Sequence, residues 1–292
     1  MQTYLLFRKI VGFDRKAEKH VNLLQNLHVH TTYADGKDSP EELVLKAIEK
    51  GFHSIGFSEH TYMDFSDYPY QMTVEEMGRY KAEIHDLRRK YTDQIDIFCG
   101  LEYDLFSEVP IDDFDYIIGS VHYLDFDGKK VGFDRGVKEV EALINTHFSG
   151  NSLKFAERYF EMLLLLPQKL NVDILGHFDI LTKTNELRNF IDVNSQDYLN
   201  FGYEAIRNLK GKIPLFEVNT GAIARGYRTT PYPQSEFLKE FKNCGFGAVI
   251  TSDCHNKNFL DCHYKEAKEL LLQVGFRSQW ILTDAGFKEV AL

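Results

Sequence analysis

Seven short apolar segments recur along the chain, and most of them precede a stretch with the composition of a helix. Near-continuous apolar strands that alternate with helices are typical of a parallel sheet whose outer face is covered by those helices. No glycine-rich dinucleotide-binding fingerprint is present, so a closed or nearly closed barrel is favoured over a doubly wound sheet. The sequence therefore predicts an α/β fold, a closed or nearly closed barrel of seven strands that alternate with helices.

The predicted strands are a first segment that ends at His28–His30, and then Ser54–His60, Ile95–Glu102, Tyr116–His122, Val172–His177, Pro214–Asn219 and Gly247–Asp253. Helices are predicted near residues 40–50, 73–91, 137–148, 153–166, 195–209, 234–243 and 264–274. Barrels of this kind often fill about 200–250 residues as one domain. No linker or low-complexity tract divides the 292 residues. We assign residues 1–25 to an N-terminal extension and residues 26–292 to one barrel domain.

Histidine and carboxylate residues stand at or near the ends of the predicted strands. Alternate side chains of an extended strand share a face, so His28 and His30 point the same way, and so do Asp253 and His255. Parallel barrels carry their chemistry at the carboxyl ends of the strands, so these side chains are expected to meet at one rim. The candidate metal ligands are His28, His30, Asp35, His60, Glu102, His122, His177, Asp253 and His255. Imidazole with carboxylate suits zinc, iron or manganese, and nine ligands suggest two or three divalent ions.

The charge of the chain limits its partners. Its 34 basic and 44 acidic residues give a net charge of −10, which argues against a broad surface for nucleic acid or an anionic membrane. A small anionic substrate remains possible where metal ions supply positive charge. We read no signal peptide or membrane span, and the four cysteines form no CxxC pair. We expect a cytoplasmic monomer or homodimer with reduced thiols that binds neither nucleic acid nor membrane.

The order of these motifs resembles the PHP (polymerase and histidinol phosphatase) family of metal-dependent phosphoesterases. In chain order the motifs are HxH with DG at His28 to Gly36, then SEH, GLE, GSVH, GH and SDCH. The stretches Gly56–Thr61, Gly100–Asp104 and Glu217–Gly221 resemble the histidinol-phosphatase branch of that family. The resemblance covers about residues 26–275. It implies the PHP fold, a distorted seven-stranded (β/α)7 TIM-like barrel. It also implies a histidinol-phosphate phosphatase of histidine biosynthesis, which converts L-histidinol phosphate and water to L-histidinol and phosphate.

The resemblance also implies three metal sites and the residues that form them. The first ion would be held by His28, His30, Glu102 and Asp253. Glu102 would bridge to a second ion, whose other ligands would be His122 and His177. The third ion would be held by Asp35, His60 and His255, although some members of the family place a histidine where Asp35 stands. The expected catalytic residues are Glu102, Asp253 and His255.

Substrate contacts are expected from residues outside the ligand set. Arg225 follows the sixth predicted strand and approximately matches an arginine of the histidinol-phosphatase loop, and an arginine fork complements phosphate oxygens. Arg158 and Arg188 are weaker candidates for the same role. The amine and imidazole of histidinol could be met by Glu217, Glu59 or Asp104. Glu217 shares a strand face with Asn219.

Phosphate-ester hydrolysis also has a physical argument of its own. The uncatalysed hydrolysis of phosphate monoesters is among the slowest biological reactions, and clustered divalent ions neutralise the phosphoryl oxygens. Other readings remain open at this point. They are another small-molecule phosphatase or a phosphotyrosine phosphatase of the same family, an amidohydrolase-type deaminase, which also uses HxH in a barrel, and a non-catalytic metal-binding module.

Overall fold

A parallel barrel forms the centre of the computed structural model, which describes residues 23–65 and 71–292. Its strands, in their order around the barrel, are β1 (Gln25–Asn26), β2 (Ser54–His60), β3 (Asp96–Asp104), β4 (Tyr116–Ser120), β7 (Ile174–Leu175), β8 (Leu215–Asn219) and β9 (Gly247–Thr251). All neighbouring pairs are parallel. The seven-stranded fold predicted from the sequence is confirmed. Most of the predicted extension, residues 1–22, lies outside the described residues, and Gln25 already belongs to β1.

The barrel closes just beyond the ends of its first and last strands. Val29 and Cys254 form an isolated parallel bridge, in which the Cys254 amide donates to the His28 carbonyl at 2.9 Å and the His30 amide donates to the Cys254 carbonyl at 2.8 Å. The histidines of the HxH motif therefore follow β1 instead of ending it. The prediction of a strand through His30 was wrong in its boundary. His28 and His30 nevertheless lie on the same face, as predicted, because the bridge at Val29 keeps this segment extended.

Helices cover the outside of the barrel in the described residues. They are α1 (Pro40–Glu49), α2 (Val74–Lys90), α3 (Val137–Phe148), α4 (Ser152–Leu163), α5 (Leu166–Lys169), α6 (Gln196–Leu209), α7 (Gly221–Ala224), α8 (Ser235–Cys244) and α9 (Tyr264–Val274). Both α1 and α2 begin with a capping box, in which Ser39 or Thr73 pairs with a glutamate three residues later. The seven predicted helices are confirmed to within a few residues at each end.

In the described part of the chain, two antiparallel hairpins interrupt the alternation of strands and helices. One joins β5 (Tyr123–Phe126) to β6 (Lys129–Gly132), and the other joins β10 (Ser278–Thr283) to β11 (Gly286–Ala291). The first hairpin lies between the fourth predicted strand and the helix predicted near residues 137–148, in a segment for which the sequence predicted neither a strand nor a helix. Its turn residues, Asp127 and Gly128, both have positive φ angles, which fits the Asp-Gly preference of two-residue hairpin turns.

The inward face of the barrel changes character from one end to the other. Near the amino ends of the strands the interior is an apolar cluster of Leu27, Phe98, Tyr116, Ile118, Ile174, Leu215, Val249 and Leu282. Side chains two or four residues further along a strand share the same face. On β3 this places Glu102 above Phe98, and on β8 it places Glu217 above Leu215. Ionisable groups are therefore collected at the carboxyl end, on top of an apolar floor.

Candidate metal centre

The carboxylate of Glu102 lies at the centre of the rim, between histidines from several strands. Its Oε2 is 2.9 Å from His60 Nδ1, 3.3 Å from His28 Nε2 and 3.5 Å from His30 Nε2. Its Oε1 is 2.7 Å from His177 Nε2. The same oxygen lies 3.4 Å from His122 Nε2 and accepts a hydrogen bond from Ser120. One buried carboxylate therefore contacts five imidazoles, two on one oxygen and three on the other.

Two further carboxylates complete the group on the side of the HxH motif. Asp253 Oδ1 lies 3.3 Å from His30 Nε2 and 3.7 Å from His28 Nε2. Asp35 Oδ2 lies 3.0 Å from His255 Nε2 and 3.7 Å from His60 Nε2. The nine residues nominated from the sequence therefore meet at one end of the barrel, although they span more than two hundred positions.

The arrangement of donor atoms fits metal ions. Among the residues that the structure describes, three groups have ligand atoms within 4.8 Å of one another. They are His28 with His30 and Asp253, His60 with Glu102 and His122, and His30 with Asp35, His60 and His255. His28 and His30 are fully buried, and their Nε2 atoms have no hydrogen-bond partner among the described residues. Because a buried nitrogen without a partner is costly, these atoms are well suited to bind cations. The groups overlap more than the predicted three sites do, since His30 and His60 each belong to two.

The protonation of the bare histidines reflects the surrounding charge. Burial lowers the pKa of His122, but the nearby carboxylate of Glu102 and a contact with Asp104 outweigh it and raise that pKa to about 10. Burial and the neighbouring His255 and His60 lower the pKa of His30 to about 4. Burial opposes ionisation of Glu102, yet the adjoining imidazoles hold its pKa well below the usual range. Without metal, protons on some of the imidazoles would balance the carboxylates.

Loops at the strand ends fix the HxH and SDCH motifs relative to each other. Asn26 is buried, and its side chain donates to Ser252 Oγ at 2.7 Å and accepts from the amide of His28 at 3.0 Å. Gly36 permits the loop that carries Asp35 to fold back, because a Cβ there would lie 2.3 Å from the His30 carbonyl oxygen. Contacts within the protein, made by residues such as Asn26 and Gly36, therefore position the ligands of the HxH and SDCH segments without help from a bound ion.

Two carboxylates lie behind histidines of the site. Asp104 Oδ2 accepts from the His122 amide at 2.9 Å and lies 3.3 Å from His122 Nδ1. Glu217 is fully buried and lies 2.8 Å from His28 Nδ1. Neither Glu217 nor Asp104 is among the residues that line the cavity at the rim, and a contact of either carboxylate with the substrate stays a prediction. The strand alternation showed that these residues face inward, but not how deep they lie.

The three candidate arginines occupy different environments. Arg225 lies at the site, where it donates to the Asp253 carbonyl at 2.9 Å and to Asp253 Oδ2 at 2.8 Å. Arg158 lies on α4, is 41% exposed and pairs with Glu161 on the same helix. Arg188 is also exposed and pairs with Glu141. The structure therefore brings Arg225 to the ligand set and leaves Arg158 and Arg188 outside it.

A cavity of about 420 Å³ opens onto the ligand set. Part of its wall comes from residues that sequence reasoning did not nominate, namely Met63, Gln71, Tyr123, Asp134, Arg135, Ile180, Lys183 and Tyr227. Lys183 donates to the Asp134 carbonyl at 2.7 Å and lies 5.2 Å from the centre of the Tyr227 ring. Gln71, Asp134, Arg135 and Lys183 lie on loops with no periodic pattern, so no signal in the sequence marked them.

Comparison with known proteins gives a consistent result. The PHP domain family matches residues 26–213. A Schizosaccharomyces pombe protein named "Probable histidinol-phosphatase" is 27% identical over 268 residues, covering 84% of each chain. The Bacillus subtilis histidinol-phosphatase is 25% identical, covering 78% of this chain and 92% of its own. The fold matches that of a Lactococcus lactis histidinol phosphate phosphatase solved with zinc, L-histidinol and phosphate, with a TM-score of 0.69 and 21% identity over 90% of this chain and 98% of the other.

The structure also describes the cysteines and the apolar character of the helices. Cys99, Cys244, Cys254 and Cys262 are all free thiols. Within residues 23–65 and 71–292, no helix combines the length and apolar character that crossing a membrane requires.

Proposed function

Because this chain belongs to the PHP family, we propose that it is a metal-dependent phosphoric monoester hydrolase whose substrate is L-histidinol phosphate. The reaction consumes water and yields L-histidinol and inorganic phosphate, a step of histidine biosynthesis. The observation that carries the proposal is the convergence of the nine predicted ligands around Glu102 at the mouth of one cavity. The relatives named histidinol-phosphatases match this chain over most of their own length, which supports the choice of substrate.

The metal content that we propose is two or three divalent ions. His28, His30 and Asp253 would hold one ion together with Glu102, and Glu102 would share a second with His122 and His177. Asp35, His60 and His255 would hold a third ion. Imidazole-rich sets favour zinc, iron or manganese over calcium or magnesium, and the zinc in the Lactococcus lactis structure agrees with this preference. The bound ions would supply Lewis-acid charge that offsets the dianionic phosphoryl group.

Residues of the chain itself would orient the substrate. Arg225 lines the cavity and its side chain is 27% exposed, so its guanidinium can offer a donor to a phosphate oxygen. Asp134 lines the cavity and offers a carboxylate to the ammonium group of histidinol. Tyr227 presents an aromatic ring at the same wall, on which an imidazole can stack. The cavity of about 420 Å³ is of the size that encloses a small molecule.

We also propose that the enzyme works in the cytoplasm as a monomer or homodimer and binds neither nucleic acid nor membrane. The net charge of −10 and the free thiols support this setting.

The test is phosphate release from a panel of monoesters by protein whose metal content has been measured. The panel contains L-histidinol phosphate, phosphotyrosine and a sugar phosphate, and an amide or amine substrate tests for deaminase activity. We expect a strong preference for L-histidinol phosphate. Glu102→Gln should reduce turnover by about 100-fold or more, because it removes the negative charge of the carboxylate that is proposed to bind two of the ions. Glu108→Gln is the control and should leave turnover unchanged, because Glu108 is exposed and pairs with Lys169. Equal rates on all monoesters, or hydrolysis without phosphate release, would contradict the proposal.

A further inference from the structure

We propose that Glu217 is a positioning residue that fixes the tautomer of His28, so that His28 presents an unprotonated Nε2 to a metal ion. The inference rests on the proposed function, in which His28 is a metal ligand. It goes beyond that function because it assigns a role to a buried carboxylate that does not line the cavity. Histidine ligands generally depend on a partner at their other ring nitrogen, which sets the ring orientation and the tautomer.

Both oxygens of Glu217 are fully engaged. On one side, Oε1 accepts from the His177 amide at 2.6 Å and from Asn219 Nδ2 at 2.9 Å. On the other side, Oε2 is 2.8 Å from His28 Nδ1 and accepts from the Thr251 hydroxyl at 2.7 Å. The carboxylate therefore connects residues that follow β1 and β7 with residues of β8 and β9, and it does so directly below the proposed metal centre.

The partners of Oε1 can act only as donors in this arrangement. A backbone amide such as that of His177 has no acceptor. The amide of Asn219 is held in one orientation, because its Oδ1 accepts from the Gly221 amide at 2.9 Å. The atom at the Oε1 position must therefore be an acceptor. A glutamine at position 217 would have to place its oxygen there and could not rotate its NH2 group into that position.

The geometry at Oε2 determines the state of His28. A carboxylate oxygen accepts hydrogen bonds and cannot donate them while it is ionised, so the proton of a neutral His28 lies on Nδ1. The Nε2 lone pair is then free, and Nε2 lies 3.3 Å from Glu102 Oε2 and 3.7 Å from Asp253 Oδ1. Glu102 and Asp253 are two of the three other residues that we assign to the same ion. Glu217 thus aligns the one nitrogen of His28 that can ligate.

Glu217→Gln provides a specific test because it keeps the size of the side chain. The glutamine oxygen must occupy the position of Oε1, so its NH2 group faces His28 and Thr251. The hydroxyl of Thr251 can rotate and accept. His28 can relieve the clash only by accepting at Nδ1, which moves its proton to Nε2 and removes the lone pair that would bind the metal. The expected result is weaker metal binding in a folded protein.

The experiment measures zinc binding by chelator competition, with zinc alone and no substrate, in the wild type, Glu217→Gln and Thr251→Val. Thr251→Val is the matched control because it removes the other donor to Oε2 and keeps the His28 contact. We expect Glu217→Gln to weaken one zinc site by about 10-fold to 100-fold, while Thr251→Val changes it by less than about threefold. Equal affinity in Glu217→Gln and wild type, or equal weakening in both variants, would overturn the proposal.

A second measurement keeps the proposal testable if Glu217→Gln does not fold. In zinc-loaded wild type, ¹⁵N NMR of the histidine rings should show the His28 proton on Nδ1, and a proton on Nε2 would overturn the assignment. This outcome is distinct from failure of the proposed function. Wild-type protein that binds no zinc, or that binds zinc and releases no phosphate, would contradict the proposed function itself.

Discussion

At the scale of single residues, the carboxylates of the site separate into two kinds by depth. Asp35, Glu102 and Asp253 line the cavity and contact several imidazoles each. Asp104 and Glu217 lie behind one histidine each and receive hydrogen bonds from the backbone. The first group sets the negative charge available to cations, and the second sets the orientation of the rings. A substitution in either group should weaken metal binding, but for different physical reasons.

The same scale distinguishes two of the arginines that the sequence indicated for phosphate. We expect Arg225→Lys to raise KM for L-histidinol phosphate by about 10-fold or more, because lysine loses the planar fork that pairs with carboxylate and phosphate oxygens. Arg158→Lys should change KM little, since Arg158 is exposed on α4 and pairs with Glu161. Steady-state kinetics on both variants checks this, and similar effects from the two substitutions would show that Arg225 has no special role.

At the scale of elements, a single strand contributes apolar side chains to the barrel interior near its amino end and ligand side chains to the metal centre near its carboxyl end. On β3, Phe98 belongs to the apolar interior cluster, and Glu102 belongs to the metal centre four residues later. The apolar side chains near the amino ends of the strands must pack closely, because they support the rim that carries the ligands. Tyr116 of β4 is buried in this interior, and its hydroxyl shares its one proton between the carbonyl oxygens of Leu27 and Phe57, at 2.5 and 3.0 Å.

Gly100, between Phe98 and Glu102 on β3, tests the role of this packing. A Cβ at Gly100 would lie 2.4–2.7 Å from ring atoms of Tyr116, and that ring is held by its hydrogen bonds. We expect Gly100→Ala to destabilise the fold by about 1–3 kcal/mol, as overpacked cores do. Measuring the midpoint of urea unfolding checks this.

Gly78→Ala is the matched control for that measurement. Gly78 lies in α2, and a Cβ added there would have no neighbouring atom within 4 Å. Alanine at this position should stabilise the protein by about 0.5–1 kcal/mol, because it restricts the unfolded chain and favours the helix. A Gly100→Ala protein as stable as the Gly78→Ala protein would mean that the interior yields to the added methyl group.

At the scale of the whole molecule, periodic features could be predicted and irregular ones could not. The order of apolar segments indicated the barrel, and the residues at their ends indicated the ligands, because both follow from the geometry of parallel strands. The depth of Glu217 and the position of Lys183 at the cavity depend on packing between distant segments, which no local pattern encodes. The hairpin around Asp127 and Gly128 carries a local signal in its turn, but its two strands are too short to show a clear period.

The last prediction concerns the stability of the whole barrel without metal. Stripping the ions with a chelator leaves Asp35, Glu102 and Asp253 next to one another, with protonated histidines and the Arg225 guanidinium beside Asp253 to balance their charge. Ligands that bind the folded state stabilise it by mass action, by about 4 kcal/mol at a free concentration 1,000 times Kd. We therefore expect Tm to fall by several degrees on chelation and to recover with zinc. Magnesium, which prefers oxygen ligands, should not restore it and serves as the control. An unchanged Tm in protein shown by metal analysis to be empty would mean that the rim is held together by the barrel alone.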